Sequence, residues 1–136
     1  MKRFELVRSG FRPLAFDGEL LAEVDGSHTP SGGEPIRWHE MAIYRTAGGE
    51  YVLSVSFFSR FGGEEEDHAV YHADSPATIE VALRDHAPIP SGVGYPPNGA
   101  FADKQARMAA DIRRRYDGLV SELFAELGSE YAEVLA

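Results

Sequence analysis

The chain has 136 residues, no cysteine and a formal net charge of −9. The length favours a single domain over residues 1–136, and the lack of cysteine excludes disulfides, thiol nucleophiles and thiolate-bound metals. The net charge argues against nonspecific binding to nucleic acids, which requires a basic surface. Residues 61–136 hold 6 Lys/Arg and 14 Asp/Glu, so a basic protein partner would be attracted to the second half of the chain.

The termini and the hydropathy predict a cytoplasmic protein that does not associate with a membrane. The segment from Met1 to Gly10 carries three cations, one acid and no apolar core, which does not fit a signal peptide. No apolar stretch approaches the ~20 residues that a membrane-spanning helix needs.

The first half of the chain is rich in strand signals. Residues 11–16 and 19–24 are largely apolar and flank Asp17-Gly18, a pair that favours a tight hairpin turn. Residues 36–46 and 50–60 are rich in aromatic and β-branched side chains and predict a second hairpin.

The faces of this second hairpin depend on its turn. A two-residue turn at Gly48-Gly49 predicts one core face, which carries Ile36, Trp38, Glu40, Ala42, Tyr44, Tyr51, Leu53, Val55 and Phe57. The other face then carries Arg37, His39, Met41, Ile43 and Arg45 with Val52, Ser54, Ser56 and Phe58.

The second half of the chain is rich in helix signals. Residues 68–73 predict one more strand, and Asp74-Ser75-Pro76 is typical of a helix start. A long amphipathic pattern over residues 101–127 predicts a C-terminal helix that ends at Gly128. With 1–73 strand-rich and 74–136 helix-rich, the sequence predicts an α+β fold. An antiparallel sheet of four to five strands is covered on one face by a short helix and the long one.

A shallow anion site is the first candidate site. Arg37, His39 and Arg45 share the mixed face of the second hairpin, and arginine forks bind carboxylates or phosphates. Glu40 is placed among apolar side chains, where burial would favour acid–base chemistry. The alternatives are a solvated face for the arginines and, for Glu40, a shifted register, a place at the sheet margin or a pair with an arginine. Tyr95 anchors the Pro/Gly-rich segment 88–100, which is either a recognition loop or a stiff connector.

Other motifs are negative or weak. There is no phosphate-binding glycine loop, no His-Glu-x-x-His and no serine-hydrolase motif, so we predict no cofactor and no metal. The acidic run 64–67 is typical of a solvated loop. Arg113, Arg114 and Arg115 fan around a helix and are expected to form surface ion pairs with Asp111, Asp117 and Glu122.

The sequence therefore favours a noncatalytic protein-binding or regulatory module with a basic partner. The alternative is a small-molecule, anion-binding protein or small enzyme with its site between the sheet and the 88–100 loop. A homodimer through the C-terminal helix is the third interpretation.

Overall fold

A computed structural model describes residues 1–28, 35–94 and 101–128. The elements in these ranges are β1 (Lys2–Arg8), β2 (Phe11–Asp25), β3 (Arg37–Thr46), β4 (Tyr51–Ser59), β5 (Asp67–Ala73), α1 (Pro76–Asp85) and α2 (Ala102–Leu127). The strands form one antiparallel sheet in the order β1-β2-β3-β4-β5, and the helices pack on it. The predicted α+β class is confirmed.

The prediction of a turn at Asp17-Gly18 is wrong. β2 runs without interruption through both residues, and Gly18 pairs with Lys2 on one side and with Thr46 on the other. A Cβ atom at Gly18 would collide with the carbonyl oxygen of Arg45. Glycine is therefore required here for close approach of two strands rather than for a turn.

The second hairpin exists, but its predicted register is wrong by one residue. Three residues, 47–49, join Thr46 to Glu50, and Gly49 adopts a φ of 88°, which glycine allows at little cost. Arg45 consequently pairs with Tyr51. Because side chains alternate along a strand, this shift turns β3 over relative to β4.

The corrected register defines the two faces of the sheet. The face that packs against the helices, called the core face, carries His39, Met41, Ile43, Leu53, Val55 and Phe57, all buried. The opposite face, called the second face, carries Trp38, Glu40, Ala42, Tyr44, Val52, Ser54, Ser56 and Phe58.

Both helices occupy their predicted positions. Ser75 caps α1 through a bond from the Thr78 N–H to its side chain, and Pro76 occupies the first turn. The stripe of α2 buries Ile112, Tyr116, Leu119, Leu123 and Leu127. Gly128 ends α2, as predicted, with a φ of 92°. Neither of these two helices is both long and apolar enough to cross a membrane.

The sheet curls until its first and last strands meet. The Ser9 N–H donates to the His68 carbonyl at 2.9 Å, and the His68 N–H donates to Ser9 Oγ at 2.8 Å. The turn after β1 is thereby joined to β5.

Candidate functional site

A cavity of about 320 Å³ lies between the β2–β3 end of the sheet and the middle of α2. We call it the α2 cavity. Its apolar wall is formed by Ile112 and Leu119 of α2. Trp38 also borders it, but the indole lies on the second face of the sheet, stacked on Phe58. The polar lining of the cavity consists of Asp25, His28, Arg37, His39, Arg115 and Glu122. A concave apolar site with a few convergent polar groups is typical of small-molecule binding.

One face of α2 forms the helical wall. Gly118, Leu119 and Glu122 lie three, four and seven residues after Arg115, so the four residues lie on one side of the helix. Gly118 is exposed, and a Cβ atom added there would meet nothing within 4 Å. No close packing contact therefore requires a glycine at this position.

Only some of the hydrogen-bond donors of the Arg115 guanidinium group have an acceptor. Its NH2 group donates to Asp111 Oδ2 at 2.5 Å, and its NH1 group donates to the Arg37 carbonyl at 3.3 Å. Its Nε atom is buried and has no hydrogen-bond acceptor among the described residues. A buried donor without an acceptor costs about 1–3 kcal/mol. The expected ion pairs of the neighbouring arginines with Asp111 and Asp117 are confirmed.

Arg37 forms a buried ion pair with Glu64. The guanidinium donates from Nε and NH2 to the two carboxylate oxygens, both at 2.7 Å, and the side chains are only 10% and 4% exposed. Ser59 Oγ at 2.6 Å and the Gly94 N–H at 2.9 Å also donate to Glu64. These bonds, those of Arg37 above all, lower the pKa of Glu64 to about 2. The prediction that this acid lies in a solvated run is wrong.

His39 is a buried histidine of the core face. It is 3% exposed, and its Nε2 lies 2.7 Å from the Pro88 carbonyl oxygen. Because a carbonyl can only accept, Nε2 carries the proton and donates it. Burial lowers the pKa of His39 to about 4, so the imidazole is neutral at physiological pH. The connector after α1 is thus held at Pro88 by His39 and at Gly94 by Glu64.

A second polar cluster lies beneath the same connector. The Tyr71 hydroxyl and His86 Nδ1 are 2.6 Å apart and share a hydrogen bond. Tyr116 lies between the rings of His39 and His86, with centroid distances of 5.1 and 6.0 Å. Its hydroxyl donates to the Leu83 carbonyl at 2.6 Å. Burial lowers the pKa of His86 and raises that of Tyr71.

The structure brings together only part of the predicted site. Arg37 and His39 both line the α2 cavity, whereas Glu40 and Arg45 do not. Glu40 lies on the second face, where it accepts a bond from Trp38 Nε1 at 3.1 Å, so its predicted place among core side chains is wrong. Arg45 is six residues from His39, about 20 Å along a strand. Tyr95 lies outside the described residues.

Searches of protein-family models, curated proteins and solved structures find no match to this chain. The site is therefore interpreted from its own chemistry. Within the described ranges, no group of three or more His, Asp or Glu side chains is arranged to hold a metal ion.

Sequence reasoning missed Trp38, Arg115 and Gly118 as cavity residues. Only Gly118 carried a usable signal, because a glycine in the interior of a long helix lowers its stability. Trp38 was placed on the core face by the wrong register. Arg115 was indistinguishable from its two arginine neighbours before the helix was oriented against the sheet.

Proposed function

We propose that this protein binds a small molecule in the α2 cavity. The observation that supports this proposal is the presence of a glycine, Gly118, in the interior of α2. A glycine there costs the helix about 0.5–1 kcal/mol relative to alanine, and no neighbouring atom requires it. Its position on the cavity wall supplies a reason, since any side chain would reduce the space available to a ligand.

The charges of the cavity favour a neutral or cationic ligand. Arg37 is neutralised by Glu64, and Arg115 is paired with Asp111. Asp25 and Glu122 then leave the lining with excess negative charge. An anionic ligand would be repelled by this excess negative charge, because both arginines already pair with a carboxylate.

Three probes that share a phenylethyl group test this proposal: phenethylamine, hydrocinnamamide and hydrocinnamate. Gly26 lines the cavity and its backbone N–H donates to the carbonyl of His39, so the Gly26 N–H signal in an NMR titration reports on the site. The amine or the amide is expected to shift this signal saturably, and the carboxylate at least about tenfold more weakly, which corresponds to ~1.4 kcal/mol.

The Gly118→Leu variant tests whether the probes bind in the α2 cavity. The leucine side chain is expected to occupy the cavity and abolish the saturable shift. Ala110→Leu places the same side chain at an exposed position of α2 outside the cavity and serves as the matched control. Equal binding by wild type and Gly118→Leu, or saturable binding of hydrocinnamate alone, would contradict the proposal.

A basic protein partner is the second candidate. Glu65, Glu66 and Asp67 line a groove of about 660 Å³ that also contains Tyr71 and His86. Pentalysine is expected to shift the amide signals of these acids. The effect should weaken steeply with salt, because the screening length falls from ~10 Å at 0.1 M to ~3 Å at 1 M. Salt-insensitive binding would argue against this role.

A further inference from the structure

A chain of hydrogen bonds joins three polar side chains on the second face of the sheet. Ser56 on β4 and His68 on β5 are directly paired across the strands. Ser56 Oγ lies 2.8 Å from His68 Nδ1, and His68 Nε2 lies 3.0 Å from Glu66 Oε2. We call Ser56, His68 and Glu66 the serine relay.

The partners of the ring determine where the protons are. An ionised carboxylate can only accept a hydrogen bond. Of the two neutral tautomers of His68, Glu66 therefore favours the one that carries its proton on Nε2. Nδ1 is then an acceptor, and the Ser56 hydroxyl donates to it. This is the proton arrangement of a serine nucleophile beside its base and an orienting acid, with the two ring nitrogens exchanged relative to the serine protease triad.

The position of His68 is fixed independently of its side chain. Its backbone N–H and carbonyl are both bonded to Ser9, and these bonds join β5 to the turn after β1. The Phe58 ring contacts the imidazole edge-on at 5.6 Å between centroids. Since the backbone closes the sheet, the closure does not require an imidazole at position 68. The side chain is 19% exposed, which leaves it reachable.

Ser56 opens onto a groove of about 330 Å³ on the same face. Glu23, Asp25 and Glu40 contribute acidic side chains to it, and Tyr44 and Ser54 contribute hydroxyl groups. Three carboxylates disfavour an anionic substrate by like-charge repulsion. A neutral or cationic ester is the acyl donor that this groove suits.

We propose that Ser56 is a nucleophile that accepts an acyl group from a neutral or cationic ester. Ser56 Oγ attacks the carbonyl carbon while its proton passes to His68 Nδ1. The bond between that carbon and the leaving oxygen then breaks, and His68 returns the proton to the leaving oxygen. Water hydrolyses the Ser56 ester by the same route and regenerates the free hydroxyl. This groove and the α2 cavity lie on opposite faces of the sheet, and Asp25 borders both.

The reaction is expected to be slow in turnover. β4 is paired on both sides, so its backbone N–H groups belong to the sheet ladder rather than to an oxyanion hole. Removing a single oxyanion donor from a serine protease costs about 10²–10³ in rate. Acylation and hydrolysis are both slowed, so the test follows the acyl group on Ser56 directly instead of turnover.

The test uses p-nitrophenyl acetate, a neutral ester, with peptide mass mapping of the acetylated residue. Acetylation is expected at Ser56 in wild type and to be absent from Ser56→Ala. His68→Gln should slow it by about 10²-fold, the lower range for removal of a general base. Ser121→Ala is the matched control, since Ser121 is exposed on α2 and does not line this groove, and it should leave Ser56 acetylation unchanged.

Acetylation of Ser54 and Ser56 to the same extent in wild type would overturn the proposal. So would an unchanged Ser56 rate in His68→Gln. If that variant does not fold, Glu66→Gln replaces it, because the Glu66 side chain is 61% exposed and carries little of the fold. Its expected effect is a slowing of at least about tenfold from loss of the oriented tautomer, and an unchanged rate would overturn the proposal.

Discussion

The buried His39 predicts a loss of stability in mild acid. Burial lowers the pKa of this imidazole to about 4 in the folded chain, whereas an unfolded chain takes up the proton near its ordinary value of about 6.5. The contribution of His39 is therefore complete above about pH 6.5 and is lost as the pH falls toward about 4.

The size of this loss of stability follows from the difference between the pKa of His39 in the folded chain and its pKa in the unfolded chain. One pKa unit corresponds to about 1.36 kcal/mol, so full protonation of the unfolded chain costs the folded state ~3.4 kcal/mol. Between about pH 7.5 and about pH 5 the linkage relation gives a loss of ~2 kcal/mol from His39 alone. Glu64 adds little in this window, because its contribution is present above its ordinary pKa of 4.5 and is lost as the pH falls from there toward about 2.

His39→Gln isolates this contribution. A glutamine amide can donate to the Pro88 carbonyl but does not titrate. The free energy of unfolding is measured in urea by far-UV circular dichroism at about pH 7.5 and about pH 5. Its decrease between these two pH values is expected to be ~2 kcal/mol smaller in His39→Gln than in wild type. His86 has its pKa lowered by burial as well and remains in both proteins, so the comparison cancels its share.

The matched control is His72→Gln, because the His72 side chain is exposed on β5 and loses little hydration on folding. This variant is expected to retain the wild-type difference between the two conditions. If His39→Gln loses as much stability as wild type between the two pH values, within about 0.5 kcal/mol, burial of His39 is not the cause of the pH dependence.

Three further changes test the stability of the fold. Gly118→Ala should raise the free energy of unfolding by about 0.5–1 kcal/mol in urea titration, whereas a decrease would reveal a steric conflict at the cavity wall. Glu64→Gln removes the buried carboxylate that accepts both bonds from Arg37 and should lower the free energy of unfolding by ~3–5 kcal/mol. The exposed Glu65→Gln is its control, and equal effects would contradict the assigned pairing. Tyr71→Phe removes the bond to His86 and should cost ~1 kcal/mol in the same assay, and no change would mean that the bond does not contribute.

The elements that the sequence predicted well depend on local signals. The long stripe of α2 and the Ser75-Pro76 start of α1 are local, and both helices have their expected bounds within one residue. The α+β class follows from the order of such segments along the chain. None of these features depends on which strand lies beside which.

The features that the sequence did not predict depend on tertiary contacts. One extra residue in the turn before Glu50 exchanged the faces of His39 and Glu40, since strand faces alternate with every residue. Glu64 looked like part of a solvated acidic run, but its three partners come from β3, β4 and the connector. Side chains that meet across separate segments leave no spacing in the sequence by which to recognise them.

The joint between Ser9 and His68 has a consequence for association between copies of the chain. β1 and β5 are the outer strands of the sheet, and the unpaired backbone groups of such strands are templates for intermolecular β-pairing. Here two of those backbone groups on β5 are already bonded within the chain, at the point where the two outer strands meet. The curl of the sheet therefore also protects against aggregation, because a second copy would have to break this joint to add a strand along that stretch of β5.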